Sequence, residues 1–121
     1  MRIVLIACVA KKKKVPAMAK DMYIDPLFKK AYRYARALPA DKIFILSGKY
    51  GLLEETDIIE PYDVNLDTKP IDEVKKWAED VLAALSRKTD LQQDEFVLLA
   101  NATYREFLVN RMRHVFSPPF F

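Results

Sequence analysis

Three short runs of apolar residues recur along the chain, at residues 3–6, 43–46 and 96–99. Within each run the apolar positions are continuous rather than alternating with polar ones, which is typical of parallel strands covered on both faces. Each run has the length of a strand and is shorter than the helices of most globular domains. The pattern therefore predicts three buried strands of one parallel sheet.

Helical patterns lie between these runs. Pro26, with Asp25 as its N-cap, opens the first helix, and Pro39 ends it. Pro70 opens a longer helix, in which apolar residues recur at spacings of three and four and charged residues occupy the opposite side. A shorter helix is predicted after the third strand, over residues 104–112.

The order of the predicted elements is strand, helix, strand, loop, helix, strand, helix. Strands that alternate with helices imply a parallel sheet with right-handed crossovers. We therefore expect an α/β fold, a three-layer α/β/α sandwich with a short, mainly parallel sheet of the Rossmann or flavodoxin-like type. The length of 121 residues predicts a single α/β domain over residues 1–121. Residues 64–66 have two interpretations, a further short strand or a crossing of the sheet end.

The composition is that of an ordinary globular protein, with 51% hydrophobic and 31% charged residues. The single cysteine, Cys8, excludes an internal disulfide and fits a reducing cytosol, so we expect a cytoplasmic protein. No apolar run approaches the ~20 residues needed to cross a membrane, and no membrane partner is expected. No metal set or cofactor fingerprint stands out, so neither is expected.

The net charge of +3 is compatible with a phosphate-bearing partner but does not require one. The placement of the cations is more informative than their sum. Residues 11–14 form a tight lysine cluster, which is either a solvated loop or an anion site. Two predicted helices carry further cations: Lys29, Lys30, Arg33 and Arg36 on one, and Arg105, Arg111 and Arg113 on the other.

The only two glycines of the chain, Gly48 and Gly51, lie in one segment, Ser47-Gly48-Lys49-Tyr50-Gly51. Glycine is used where the backbone needs a positive φ or where another group approaches closely. The segment follows the second predicted strand, and α/β domains usually bind their ligands beyond the carboxyl ends of the strands. The turn is therefore either purely structural or part of a ligand site, and we favour the ligand site.

The other two strands end in residues with comparable chemistry. Cys8 and the lysine cluster follow the first strand, and Asn101 and Tyr104 follow the third. In a parallel sheet these groups meet at one edge, where lysines suit phosphate and tyrosines suit a planar group. The pattern predicts a site for a small anionic or nucleotide-like ligand, formed by Lys11, Lys13, Ser47, Gly48, Lys49, Tyr50, Gly51, Tyr62, Asn101 and Tyr104.

Candidate catalytic groups are fewer. Cys8 is either a nucleophile activated by the nearby lysines or a small buried residue. Glu60 and Asp63 are the best candidates for a general acid or base, because Pro61 stiffens the acidic stretch that contains them. His114 is the single histidine and falls in the late basic helix, which argues against a catalytic triad or a histidine-rich metal site. The spacing of a P-loop and that of a hydrolase nucleophile elbow are both absent.

Residues 46–53 and 58–63 together resemble the Ser-Gly-x-Tyr-Gly turn and the following Pro-Tyr pair of the YaaA-like proteins. Residues 6–11 are similar to that family's first strand, which is followed by a small residue and a lysine. Residues 23–28 resemble a Tyr-x-x-x-Leu-Phe stretch of small uncharacterised relatives in prokaryotes and their viruses. The resemblance implies an uncharacterised domain, and the YaaA name implies resistance to peroxide stress and DNA binding.

Three functional hypotheses follow. The first is that the chain binds a nucleotide, nucleobase or other phosphate-bearing ligand at the strand ends. If it is an enzyme, this hypothesis implies nucleoside or glycosidic-bond chemistry. The second is a non-catalytic protein of the oxidative-stress response that binds nucleic acid through the basic helices. The third is a homodimer formed through the terminal Phe120 and Phe121.

Overall fold

A computed structural model describes residues 1–7 and 11–118. Cys8, Phe120 and Phe121, which the sequence singled out, lie outside the described residues. The strands are β1 (Arg2–Ala7), β2 (Ala17–Met18), β3 (Lys42–Ser47), β4 (Gly51–Glu54), β5 (Ile58–Ile59), β6 (Glu95–Leu99) and β7 (His114–Phe116). The helices are α1 (Ala19–Met22), α2 (Pro26–Ala37), α3 (Ile71–Ser86) and α4 (Ala102–Arg105), with 3₁₀ turns at Leu66–Thr68 and Val109–Arg111.

The main sheet has five strands in the order β4-β3-β1-β6-β7. β1 lies at its centre and pairs in parallel with β3 on one side and β6 on the other, while β7 continues the parallel set beside β6. β4 is the one antiparallel member, paired with β3. The order confirms the predicted α/β fold with a mainly parallel sheet.

Two separate cores cover the two faces of this sheet, which makes three layers. Successive residues of a strand point to opposite faces. Ile3 and Leu5 of β1 accordingly pack in a cluster with α3 and α4, whereas Val4 and Ile6 pack in a cluster with α1 and α2. This two-sided burial explains why the strands appear as continuous apolar runs.

The helix starts are those that the sequence predicts. The Asp25 side chain accepts a 2.8 Å hydrogen bond from the Leu27 N–H, and Pro26 occupies the first turn, where its missing N–H costs nothing. α3 begins directly after Pro70, and Asp72 and Glu73 in its first turn complement the positive end of the helix dipole.

The structure differs from the sequence-based prediction in the last part of the chain. The predicted basic helix is one turn, α4, which ends at Arg105; Arg111 lies on a 3₁₀ turn, and Arg113 lies between that turn and β7. His114 is therefore in a strand, not in a helix. The apolar spacing of residues 104–112 mimics a helix because turns bury Leu108 and Met112 on the same core.

The predicted loop after the second strand is also partly wrong. Gly51 to Glu54 form the edge strand β4, and Ile58 and Ile59 form β5, which pairs with β2 in a second, two-stranded sheet. These strands are too short for their periodicity to be recognised. Among the described residues no helix is both long and apolar enough to cross a membrane.

Candidate functional site

The glycine segment forms a tight hairpin between β3 and β4, in which Ser47 pairs with Gly51. Gly51 has a φ of +74°, the left-handed conformation that glycine adopts without steric cost. The Ser47 hydroxyl oxygen accepts the N–H groups of Lys49 and Tyr50 at 3.2 and 2.9 Å, and the serine is fully buried. Ser47 and Gly51 therefore shape the turn, and the turn presents Lys49 and Tyr50 to solvent.

Gly48 is needed for close approach rather than for an unusual φ. A Cβ atom at this position would lie 3.1 Å from the Val64 carbonyl oxygen and 3.3 Å from the Tyr104 hydroxyl. The indole Nε1–H of Trp77 donates a 2.8 Å hydrogen bond to the Ser47 carbonyl on the same turn. The hairpin is thus held by β3, by α3 and by the segment around Val64.

Residues 60–66 cross the carboxyl edge of the sheet, and we call them the crossing segment. Ile59, just before it, is buried in the core beneath α1 and α2, whereas Leu66 at its end is buried in the core beneath α3. The second interpretation of residues 64–66, a crossing of the sheet end, is therefore confirmed. Glu60 and Asp63 are both exposed on this segment, and the Tyr50 hydroxyl donates to the Glu60 carbonyl at 3.4 Å.

Three tyrosines meet where the crossing segment passes the hairpin, and we call Tyr23, Tyr50 and Tyr62 the tyrosine cluster. The hydroxyls of Tyr23 and Tyr62 share a hydrogen bond of 2.7 Å. Tyr62 is edge-on to both of the others, with ring centroids 6.4 Å from Tyr23 and 5.5 Å from Tyr50. Tyr23 is buried, whereas Tyr50 is 36% exposed, so the cluster runs from the core to the surface.

Lys12 faces this cluster because of its strand pairing. Lys12 and Tyr23 form an antiparallel bridge flanked by hydrogen bonds from Ile24 N to Lys11 O and from Lys13 N to Met22 O. In such a pair the two opposing side chains are close and lie on one face. The Lys12 ammonium lies 4.6 Å from the Tyr62 ring centre and 6.0 Å from that of Tyr23.

The predicted phosphate ligands Lys11 and Lys13 flank Lys12 on the same strand-like stretch. Because side chains alternate along an extended chain, theirs point to the side opposite the tyrosine cluster, and both residues are exposed. The sequence did not single out Lys12, since four consecutive lysines give no signal for choosing one of them. Tyr23 was marked only by the motif at residues 23–28.

Lys49 supplies a second ammonium group, 5.2 Å from the centre of the Tyr50 ring. Lys49, Tyr50 and Tyr62 from the predicted set thus converge with Lys12 and Tyr23 at one place on the carboxyl edge. An exposed aromatic ring with an ammonium group beside it can hold a planar group by stacking and an anionic group by charge.

Asn101 and Tyr104 lie nearer the other core. The Asn101 side chain caps α4 by accepting the Tyr104 N–H at 3.2 Å, and its amide donates to Asp67 at 3.4 Å. Tyr104 is 1% exposed and packs edge-on against Trp77, with ring centroids 5.4 Å apart. Tyr104 supports the hairpin at Gly48, and Asn101 caps the helix that carries Tyr104. The predicted ligand contacts of both residues stay predictions.

Two groups outside the tyrosine cluster, Tyr32 and Asp94, have perturbed pKa values. Burial, assisted by a short hydrogen bond to the Glu55 carboxylate, raises the pKa of Tyr32. Glu55 and Arg36 line an open depression of 310 Å³ near the amino end of β3. The Asp90 N–H, followed by the Met1 ammonium, lowers the pKa of Asp94 through hydrogen bonds of 2.8 Å each.

The protein family follows from a comparison of the whole chain. Residues 3–118 match the model of a family of unknown function, DUF6884. The chain belongs to this family. The match includes the hairpin, the crossing segment and all three residues of the tyrosine cluster.

A curated relative matches as well, a UPF0246 protein from Flavobacterium johnsoniae. It is 41% identical over 70 residues, which cover 53% of this chain and 27% of the relative. The match thus spans about a quarter of the relative's length, and it supports the YaaA-like resemblance at the level of an uncharacterised family. No solved structure matches the chain.

Proposed function

We propose that this DUF6884 chain binds a small phosphate-bearing, nucleotide-like ligand at the carboxyl edge of its sheet. The observation that carries the proposal is the tyrosine cluster with two ammonium groups against its rings, Lys12 at 4.6 Å from the Tyr62 centre and Lys49 at 5.2 Å from the Tyr50 centre. The edge is where open α/β sheets bind ligands, and the two charges suit an anion.

Each residue has a distinct part in this proposal. Lys12 and Lys49 attract the phosphate, and the exposed Tyr50 ring offers a stacking face for a base. Ser47 and the glycines fix the hairpin that positions Lys49 and Tyr50. The proposal adds Lys12 to the predicted Lys11 and Lys13, because the Lys12 ammonium is the one that lies against the tyrosine rings.

Calorimetric titration of the chain with AMP, adenosine and inorganic phosphate tests the proposal. AMP should bind most tightly, since it alone satisfies both the aromatic ring and the lysines. Tyr50→Ala should weaken AMP binding about tenfold, whereas Tyr50→Phe keeps the ring and should bind as wild type does. Equal affinity of Tyr50→Ala and wild type for AMP, or no heat with any nucleotide, would reject the site.

Cleavage of a glycosidic bond is the enzymatic form of this proposal, with Glu60 or Asp63 as acid or base. Both carboxylates lie on the crossing segment, one on each side of the Pro61-Tyr62 pair. Release of free base from a nucleoside 5′-monophosphate, followed by chromatography, tests it. Glu60→Gln or Asp63→Asn should abolish the release, and release that survives both substitutions would exclude these carboxylates.

The alternative of non-catalytic nucleic-acid binding has one observation in its favour. α2 carries Lys29, Lys30, Arg33 and Arg36, all exposed, and no acidic residue. Binding to duplex DNA through this helix should weaken steeply as salt is raised, and Lys30→Gln/Arg33→Gln should reduce the slope. A role in oxidative stress is suggested by the YaaA-like resemblance alone.

A further inference from the structure

Exposed apolar side chains are concentrated in one part of the fold. The described residues include nine large, exposed apolar side chains, and five of them lie between residues 15 and 27 or on the strand paired with that stretch. Isolated exposed apolar residues are ordinary, but a contiguous group marks an interaction surface. We call the five the outer apolar patch: Val15, Met18, Ile24, Leu27 and Ile58.

The strand pairing places two members of the patch side by side. Met18 on β2 lies opposite Ile58 on β5, while Ile59 beside it is buried in the core under α1 and α2. Ile24 follows Tyr23, which is buried in that same core. Because neighbouring residues of an extended chain point in opposite directions, Met18, Ile24 and Ile58 all face away from this core.

Lysines outnumber acids along residues 11–30, seven to two. Lys11 and Lys13 pair with residues 22–24 and point to the outer side, next to Ile24. Further lysines lie at the ends and flank of the same stretch: Lys14, Lys20, Lys29 and Lys30. The acids of this stretch are Asp21 and Asp25, and the exposed Asp57 and Glu60 flank β5. The carboxylates of Asp25 and Asp57 accept backbone N–H groups of Leu27 and Glu54.

The composition of this surface indicates the kind of partner. It combines aliphatic side chains with lysine and contains no aromatic residue, whereas protein interfaces favour aromatic residues and arginine and are depleted in lysine. A second copy of the chain would bring like charges together. Lysines beside aliphatic side chains are the pattern of a surface that attracts anionic lipid headgroups while its apolar residues enter the boundary layer.

We propose that the outer apolar patch and its lysines dock the protein peripherally on an anionic lipid surface. This docking lies on the outer side of residues 11–27, away from the tyrosine cluster, so it does not depend on the proposed ligand site. It uses no spanning segment, and the apolar contact area is small. The binding should therefore be reversible and should require both charge and apolar contact.

Co-sedimentation with vesicles of phosphatidylserine and phosphatidylcholine, at about 0.1 M salt, tests the docking. The wild-type chain should sediment with these vesicles and not with pure phosphatidylcholine. Ile58→Ser should lower the partition coefficient about fivefold by removing apolar contact. Ile71→Ser is the matched control, since Ile71 is exposed to 59% against 68% for Ile58 but lies at the start of α3.

The charge contribution has its own matched pair of variants. Lys11→Gln/Lys13→Gln should lower the partition coefficient about tenfold, whereas Lys75→Gln/Lys76→Gln on α3 should leave it unchanged. Circular dichroism checks that all variants keep the fold.

Four outcomes would overturn the lipid assignment. The first is a wild-type chain that stays in the supernatant, and the second is equal binding of Ile58→Ser and Ile71→Ser. The third is a chain that ignores vesicles but binds duplex DNA through Lys11 and Lys13. The fourth is a dimer in solution that Ile58→Ser dissociates.

Discussion

The ammonium nitrogen of Lys12 lies 4.6 Å from the centre of the Tyr62 ring. Tyr62 in turn shares a 2.7 Å hydroxyl hydrogen bond with Tyr23, the residue opposite Lys12 in the antiparallel bridge. These contacts tie the lysine cluster after β1 to the crossing segment, which is about fifty positions away in the sequence. The candidate site therefore depends on tertiary structure and not on any single motif.

Gly51→Ala should destabilise the hairpin. At a φ of +74° an L-residue pays roughly 1–2 kcal/mol, although the nearest atom to the new Cβ, at 3.9 Å, leaves enough space. Gly51→Asn should lose less stability, because asparagine tolerates this conformation. Urea unfolding followed by circular dichroism measures the difference, and an alanine variant as stable as wild type would show that the backbone strain is absent.

Gly48→Ala should destabilise for a different reason, contact with its neighbours. The new Cβ would lie 3.1 Å from the Val64 carbonyl oxygen and 3.3 Å from the Tyr104 hydroxyl, and one of them must move. We expect a loss of about 1–3 kcal/mol, typical of overpacking. The test is a double-mutant cycle with Tyr104→Phe. The stability losses of the two single variants should sum to more than the loss of the double variant. Additive costs would contradict contact with the hydroxyl.

Trp77→Phe should cost about 1–3 kcal/mol of stability, the usual effect of leaving a buried polar group unpaired. The substitution keeps an aromatic ring against Tyr104 but removes the Nε1–H that donates to the Ser47 carbonyl at 2.8 Å. Thermal unfolding followed by far-ultraviolet circular dichroism measures the change. An unchanged midpoint would mean that another donor replaces the indole at the hairpin.

The structure explains why the sequence predicts the main strands and helices well. Ile3 and Val4 are both buried because different cores cover the two faces of β1, so the apolar run was a reliable signal. Pro26 and Pro70 mark the starts of α2 and α3, where proline is favourable. An apolar run and a proline at a helix start can each be recognised within a single short segment of the sequence.

The remaining features depend on pairing with distant residues. β7 has three residues, and His114 belongs to a strand only because it lies opposite Glu95 of β6. Lys12 differs from Lys11 and Lys13 only by the face on which the bridge to Tyr23 places it. Neither relationship leaves a periodic pattern in a stretch of a few residues, so neither could be recognised before the structure.

The ionised Asp94 carboxylate should stabilise the protein at neutral pH, and this stabilisation should be lost in acid. Hydrogen bonds from the Asp90 N–H and then from the Met1 ammonium lower the pKa of the folded carboxyl below its unfolded value of about 3.9. The stabilisation is therefore complete above about pH 5 and is lost as the pH falls through the lowered pKa of the folded state. Asp94→Asn should be less stable than wild type at pH 7, and the difference should shrink towards pH 3.

Urea unfolding at a series of pH values checks this dependence, with the exposed Asp63→Asn as the control. The control should follow the wild-type curve, apart from a small constant offset. A free-energy difference between Asp94→Asn and wild type that stays constant from pH 7 to pH 3 would show that the carboxylate does not carry the effect.

The most direct test of the candidate site compares two adjacent lysines. Lys12 faces the tyrosine cluster and Lys13 faces away from it, so Lys12→Ala and Lys13→Ala change the net charge equally but alter different surfaces. Calorimetric titration with AMP should show about tenfold weaker binding for Lys12→Ala, the loss expected for a charged contact to phosphate, and near wild-type binding for Lys13→Ala. Equal affinities of the two variants would contradict a ligand site at the tyrosine cluster.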